Sequence, residues 1–356
     1  MAISKLFLDL LSSFPLKVED KNCVNQPNLK ACDRCAAVCP HGAITLEGNR
    51  PKVDFEKCTL CGLCFAECPV RVFEVEYDLT GLFTEGKHLS VGCFLSDDRV
   101  AVKVPCLALL NGELLAALAI HHGGKVVLDA SACGRCPQGE KLLPFIRSHA
   151  EEASLLLHYH RAEGEVVLSE GEVDLSELEA ENEVSLLLGE EKPKPSVSER
   201  LNLPLWRQLF FERVKLIEPS RLCEREVEEP RLRFATPKVD RGRCQGSGVC
   251  AFWCPTRALS ADAEGVLYFT QVLCTDCGLC EKVCPNSALR LEKKFVPRYN
   301  SMGARRAVAR GRAAVCPSCG RRFTAPEGEE LCLYCRKERK VEDLIKRFLE
   351  GEDGPT

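Results

Sequence analysis

Four times in this chain a cysteine-proline pair is followed by the same small-then-apolar step: CPHGAI at Cys39, CPVRVF at Cys68, CPTRAL at Cys254 and CPNSAL at Cys284. Each closes a tight cysteine run. Two runs, CTLCGLCFAECP from Cys58 and CTDCGLCEKVCP from Cys274, have the 2-2-3 spacing by which one loop wraps an iron-sulfur cluster. Iron in a cubane cluster takes soft thiolate ligands, and thiols three residues apart can occupy three corners while backbone amides face the sulfides. The cysteine before proline then belongs to the other cluster. The chemistry indicated is one-electron transfer.

This crossing assigns Cys39, Cys58, Cys61 and Cys64 to one cluster, the Cys58 set. Its partner, the Cys23 set, holds Cys32, Cys35 and Cys68, but Leu29 stands where the first ligand belongs. Cys23 lies six residues upstream, and VNQPNLKA between them reads as an excursion returning the chain to Cys32. A buried structural thiol is the competing reading of Cys23. Farther along, Cys254, Cys274, Cys277 and Cys280 form the complete Cys274 set, and Cys244, Cys250 and Cys284 form the Cys244 set with Ser247 at the missing position. Serine is a poor ligand for soft iron, so this site is expected to hold three irons, as [3Fe-4S], or a labile fourth in [4Fe-4S]. Three ordinary [4Fe-4S] clusters are expected beside it. Cys223 belongs to no set and reads either as a non-motif ligand or as a small buried apolar group.

Two further groups have different spacing. LSVGC, RVAVKVPC and KVVLDASAC are strand-like runs that each end in cysteine, and LALLNGELLAALAI has the recurrence of a buried helix. Cys93, Cys106, Cys133 and Cys136, the Cys93 set, therefore fall at the carboxyl ends of strands, where open α/β sheets place ligands. Four thiolates there suit a [2Fe-2S] cluster, zinc, or a CGRC dithiol. Near the end, CPSCGRRF and CLYCRK supply Cys316, Cys319, Cys332 and Cys335, two knuckles able to hold tetrahedral Zn or a rubredoxin-like iron.

Through CTLCGLCFAECP, CTDCGLCEKVCP and the proline-flanked cysteines opposite them, residues 20–78 and about 238–293 resemble bacterial-type dicluster ferredoxins in tandem. The resemblance implies a low-potential relay without substrate chemistry of its own. VKVPCLALLNGELLAALAIHHGGKVVLDASACGRCPQGE, within about sixty residues, resembles the delta subunit family of methyl-viologen-reducing hydrogenase. That likeness implies a [2Fe-2S] cluster passing electrons toward a flavin subunit of heterodisulfide reductase type; thioredoxin-like [2Fe-2S] ferredoxins are a rival resemblance. The last knuckles resemble a zinc ribbon.

The remaining features bound the picture. The chain has 356 residues, 45% hydrophobic, enough for several cored domains. Its 24 cysteines are bunched rather than scattered, which disfavours a disulfide framework. The start MAISKLFLDLLSSFPL lacks the pattern of a secretory signal, and a reducing cytoplasm is expected. No apolar run approaches the ~20 residues of a membrane span. Charge is polarised: residues 151–200 hold fourteen acids against four bases, whereas 293–322 hold nine bases and no acid. That basic segment suits an acidic protein surface better than nucleic acid, because aromatic interleaving is sparse.

The expected fold class is α+β multidomain, with two ferredoxin-like units flanking a small α/β layer and a C-terminal zinc-ribbon knuckle. The expected divisions are 1–80 (first unit), 85–162 (α/β cysteine domain), 163–237 (acidic linker and docking helix), 238–297 (second unit) and 298–356 (basic segment, knuckle and terminal helix). Leu46 to Val53 reads as a hairpin about Gly48 and Asn49, and Leu201 to Val214 as a helix with one apolar face. The histidines at 121, 122, 158 and 160 have no nucleophile pattern beside them, and neither a dinucleotide fingerprint nor a phosphate loop is evident. The expected function is a multi-cluster electron-transfer subunit of a larger oxidoreductase complex of hydrogenase, formate dehydrogenase or heterodisulfide-reductase type, its partners carrying flavin or another catalytic cofactor. The competing classes are a dithiol/disulfide redox enzyme using Cys133 and Cys136, and an iron-sulfur or zinc protein associated with nucleic acid.

Overall fold

The computed structural model describes residues 16–171 and 202–349, apart from 98, 242, 245, 263–264, 311 and 326–329. The expected absence of a leader in the first residues, and most of the acidic stretch, lie outside the described residues.

The first unit is a pseudo-symmetric pair of short elements. Strand Leu16–Val18 pairs antiparallel with Phe73–Val75, and Ile44–Glu47 pairs with Arg50–Val53. Gly48 (φ 55°) and Asn49 (φ 65°) are both left-handed, which is the two-residue turn that matches strand twist. Helices Arg34–Val38 and Leu63–Glu67 lie between these hairpins. The second unit repeats the plan: Thr236–Val239 pairs with Leu289–Glu292, Leu259–Ala261 with Val266–Thr270, and the helices are Val249–Phe252 and Leu279–Lys282. Strand Arg305–Arg310 adds to its second hairpin. Helices of four or five residues cannot stand alone; the core that holds them includes buried Cys64, Cys68, Cys274 and Cys280.

Between the units lies a four-stranded parallel sheet in the order Val102–Val104, Leu89–Cys93, Lys125–Asp129, Glu165–Ser169. The last strand extends the sheet past residue 162 and forms its edge. Helix Gly112–His122 is apolar on nearly every side and buried accordingly. Asn111 caps it by accepting from the Leu114 amide at 3.0 Å, and left-handed Gly123 (φ 65°) closes it. Helix Gly139–His160 packs against it.

The helix expected to show one apolar face runs over Leu205–Val214 and is enclosed on more sides than that reading allows. Trp206, Leu209, Phe210 and Val214 are buried, and so are Arg207, Gln208, Glu212 and Arg213. The reason is what surrounds Arg207, a side chain with no solvent exposure. Its guanidinium is a bidentate partner of Glu113, with Nη2 donating to Oε1 at 2.6 Å, and also donates to the carbonyls of Cys274 (2.6 Å), Val272 (3.0 Å) and Arg233 (3.1 Å). Arg233 in turn donates to the Ala66 carbonyl at 2.7 Å and to Glu67 at 2.6 Å, and His149 reaches the same carboxylate at 2.9 Å. Burial pushes the Glu67 carboxyl upward, but Arg233 and His149 outweigh it and hold it at about 2, so Glu67 stays ionised and keeps Arg233 paired.

Removing one member of a buried ion pair costs about 3–5 kcal/mol because the other charge is left stranded. Arg207→Ala is therefore expected to lower stability by about that amount. The double replacement Arg207→Met with Glu113→Leu should lose markedly less than the single change. Anaerobic denaturant unfolding of the three proteins distinguishes these outcomes.

Candidate iron-sulfur and metal centres

Three ligand loops share one backbone. In each, the residues two and four places after the first cysteine are left-handed: Leu60 (φ 56°) and Gly62 (φ 73°), Gly246 (φ 62°) and Gly248 (φ 67°), Asp276 (φ 52°) and Gly278 (φ 74°). The second of each pair is the N-cap of the short helix carrying the third ligand position. Leucine and aspartate pay a steric cost there that glycine does not. The Cys244 loop keeps this path although Ser247 replaces a thiol.

The Cys23 set is built differently, as Leu29 requires. Asp33, at the helix entrance, has φ −138° rather than a left-handed value. The excursion is organised by Asn25, which is 1% exposed. Its Oδ1 accepts from the amides of Ala31 and Cys32, both at 2.8 Å, while its Nδ2 donates to the carbonyls of Cys32 (2.7 Å) and Asn49 (2.9 Å). Asn49 at the hairpin tip donates to the Gln26 and Pro27 carbonyls, and Arg50 to those of Asp20 and Cys23. Cys23, Cys32, Cys35 and Cys68 consequently line one cavity of about 20 Å³.

The proline-flanked cysteines have their own repeat. Gly42, Arg257 and Ser287, each three residues after the cysteine, are left-handed. The turn aims an amide back at the sulfur: Ala43 to Cys39 at 3.3 Å, Leu259 to Cys254 at 3.4 Å, Ala288 to Cys284 at 3.2 Å. Amides so placed tune whatever the sulfur binds.

For several other cysteines of these sets burial is the first influence and raises the thiol, with neighbouring sulfurs adding to the effect. Cys35 is pushed up to about 12 by burial and then by Cys68, Cys32 and Cys23. Cys61 and Cys250 reach about 11, and Cys274 about 12. Cys64, Cys277 and Cys280 are driven higher still, each by burial first and other thiols after. Several thiolates can share so dry a space only with a cationic centre among them, so this donor set fits an iron-sulfur core.

The Cys93 set gathers at one sheet edge. Cys93 ends its strand, Cys106 follows Val104, Cys133 lies within the turn Ser131–Arg135 and Cys136 directly follows it; the four line a cavity of about 30 Å³ together with Thr59 of the first unit. The Cys133 thiol is pushed up to about 11 by burial, then Cys93 and Cys136, opposite to the lowering that activates a dithiol. In the terminal knuckle the four sulfurs of Cys316, Cys319, Cys332 and Cys335 all lie within 4.8 Å of one another, with Cys319 and Cys332 at 3.6 Å. A tetrahedron of ~2.3 Å bonds places sulfurs roughly 3.8 Å apart, so a zinc-sized ion fits.

The Cys244 set differs in access. Cys244, Ser247, Cys250 and Cys284 line a cavity of about 700 Å³ that also touches strand Arg305–Arg310. Cys223 lies elsewhere, beside His158 and Tyr159 in another cleft. Among the histidines, His160 is fully enclosed, accepting from Asn300 at 3.1 Å and donating to the Leu156 carbonyl at 2.8 Å, and burial lowers it to about 4. It joins helix Gly139–His160 to helix Pro297–Met302 and is a structural group. Spacing rules missed Asn25 and also Gln138, which accepts from Thr59 at 2.6 Å; an asparagine in a turn-rich excursion is a weak signal for the first.

Residues 29–72 match the 4Fe-4S dicluster domain family, and residues 268–290 match the 4Fe-4S binding domain family. The chain thus carries two ferredoxin-type 4Fe-4S domains. The first match begins after Cys23, and the second contains Cys274, Cys277, Cys280 and Cys284 but not Cys244 or Cys250. The chain is similar to a subunit of the ion-translocating oxidoreductase complex of Methanosarcina acetivorans, 37% identical over 59 residues, 17% of this chain and 22% of that one. It is also similar to pyruvate synthase subunit PorD of Methanothermobacter marburgensis, 40% over 45 residues, 13% of this chain and 52% of that one. A third similarity is to DNA-directed RNA polymerase subunit Rpo3 of M. acetivorans, 38% over 95 residues, 26% and 35% of the two chains. The chain spans between about a fifth and about a half of the length of these curated relatives.

Two substitutions test the ligand loops. Asn25→Ala removes the bonds that return the chain to Cys32, and is expected to lower iron by about four atoms per chain, the content of one cubane cluster. Ser247→Cys should add one iron per chain and convert a three-iron resonance into a four-iron one. Unchanged iron in Ser247→Cys would mean that another ligand already completes that site.

Proposed function

We propose that this chain is a multi-cluster electron-transfer subunit of a larger oxidoreductase complex, holding [4Fe-4S] clusters in the Cys58, Cys23 and Cys274 sets. The observation that carries this reading is the recurrence of one strained loop backbone around buried thiols whose charge needs a cationic core. The Cys244 set would hold [3Fe-4S] or a [4Fe-4S] with a labile iron, in keeping with Ser247 and the open cavity. The Cys93 set would hold [2Fe-2S], and the terminal knuckle zinc. The division into two ferredoxin-like units, an α/β cysteine layer and a zinc-ribbon knuckle follows these sites.

Subunits of oxidoreductases are among the relatives, which supports assembly with partners carrying flavin or another catalytic cofactor. Hydrogenase, formate dehydrogenase and heterodisulfide-reductase complexes are the candidate types, in the reducing cytoplasm where such thiols persist. No described helix is long and apolar enough to cross a membrane. The raised Cys133 thiol disfavours a dithiol enzyme.

Anaerobically purified protein is expected to be brown, with iron and sulfide near the sum of these clusters, one zinc, and paramagnetic signals on reduction. A colourless preparation containing zinc alone would overturn the reading.

A further inference from the structure

We propose that the five cysteine sets form one unbranched line for electrons, in the order Cys93 set, Cys58 set, Cys23 set, Cys274 set, Cys244 set, and that the Arg34–Asp276 contact is its joint between the two ferredoxin-type units. The inference rests on the electron-carrier reading and adds to it the route. Each hop oxidises one cluster by one electron and reduces the next by one, with no bond made or broken. A one-electron donor and a one-electron acceptor serve the two ends.

Every joint is visible as a contact between ligand loops. At the first, Gln138, two residues after Cys136, accepts from Thr59, the neighbour of Cys58, at 2.6 Å, with His41 at 3.3 Å; Lys141 donates to the Pro40 carbonyl at 3.0 Å. A Cβ on Gly62 would lie 2.7 Å from that of Leu109, so the CTLCGLC loop is pressed onto the turn after Cys106. The second joint lies within the first unit, where helix Arg34–Val38 packs on helix Leu63–Glu67. At the third, Arg34, between Cys32 and Cys35, donates to the carbonyl of Asp276 at 2.7 Å and to its carboxylate at 3.1 Å; Asp276 stands between Cys274 and Cys277. A Cβ on Gly278 would be 3.8 Å from the Ala31 carbonyl, leaving no room for an intervening side chain. The fourth is the packing of helix Val249–Phe252 on helix Leu279–Lys282. The terminal knuckle packs as a separate small core and stands off the line.

The test uses the full chain, reconstituted with iron and sulfide and reduced with dithionite, and reads magnetic interaction between neighbouring clusters by paramagnetic resonance. Wild type should show interaction broadening throughout. Cys277→Ser should sharpen the signals of the Cys23 and Cys244 sets, whereas Cys106→Ser should sharpen only that of the Cys58 set. Arg34→Gln should weaken interaction between the units at unchanged iron content, the two loops separating slightly while the Arg207 network keeps the units together. Arg34→Met, which likewise removes both contacts, repeats the test should Arg34→Gln lose iron. Undiminished between-unit interaction in both joint variants, or a change in second-unit signals on Cys106→Ser, would overturn the line. Absence of any iron-sulfur signal in wild type would instead defeat the electron-carrier reading.

Discussion

A guanidinium without solvent must find an acceptor for its donors inside the protein, and Arg207 takes them from separate parts of the chain. Glu113 comes from the first turn of the buried helix Gly112–His122, Val272 and Cys274 from the second ferredoxin-type unit, and Arg233 from the segment leading into it. Arg233 carries the constraint onward to Ala66 and Glu67, which lie between Cys64 and Cys68 on one helix. The carbonyl of Cys274 and the helix that carries Cys64 and ends at Cys68 are thus tied through two arginines. The positions of the ligand loops relative to one another depend on this network, because the short helices and hairpins have little regular structure with which to set them. Desolvated charges offer geometric specificity at the cost of stability, and relative position is what a relay needs.

A second constraint acts within each loop. A left-handed leucine or aspartate costs of order 1 kcal/mol or more, and residues of this kind persist where the surroundings over-determine them. Leu60, Gly246 and Asp276 occupy equivalent places, so glycine removes the cost in one loop and the other two retain it. Asp276 uses its position: the same residue that bends the loop presents its carbonyl and carboxylate to Arg34.

Much of this was legible from spacing alone. The ligand loops, the hairpin about Gly48 and Asn49, and the strand-cysteine order of the α/β layer follow from short-range rules that use only neighbouring residues. The Arg207 network was hidden because LWRQLFFERV reads as amphipathic when each charge is assumed to seek water, and nothing local announces that Glu113 and three carbonyls wait across the fold. Asn25 was hidden for a related reason. A displaced ligand such as Cys23 implies some device to close the longer loop, but only three-dimensional placement identifies which polar side chain satisfies both strands of the excursion. Strand Glu165–Ser169 lay in a glutamate-rich stretch, and its VVL centre gains strand character from a sheet edge assembled by distant residues.

The sites also differ in how they meet solvent. Cavities of only about 20 and 30 Å³ are lined by the Cys23 and Cys93 sets, whereas about 700 Å³ opens beside the Cys244 set. Adding an electron to a cluster adds negative charge, which a dry surrounding penalises and a wet one relieves, so cluster potential responds to exposure and to amides aimed at sulfur. Ser247 sits on the open side of a loop that otherwise repeats the buried ones. One backbone plan thus recurs at the Cys244 set with serine in place of one thiol and with a larger cavity beside it; the difference resides in one side chain and its access, with the path of the loop left as it was.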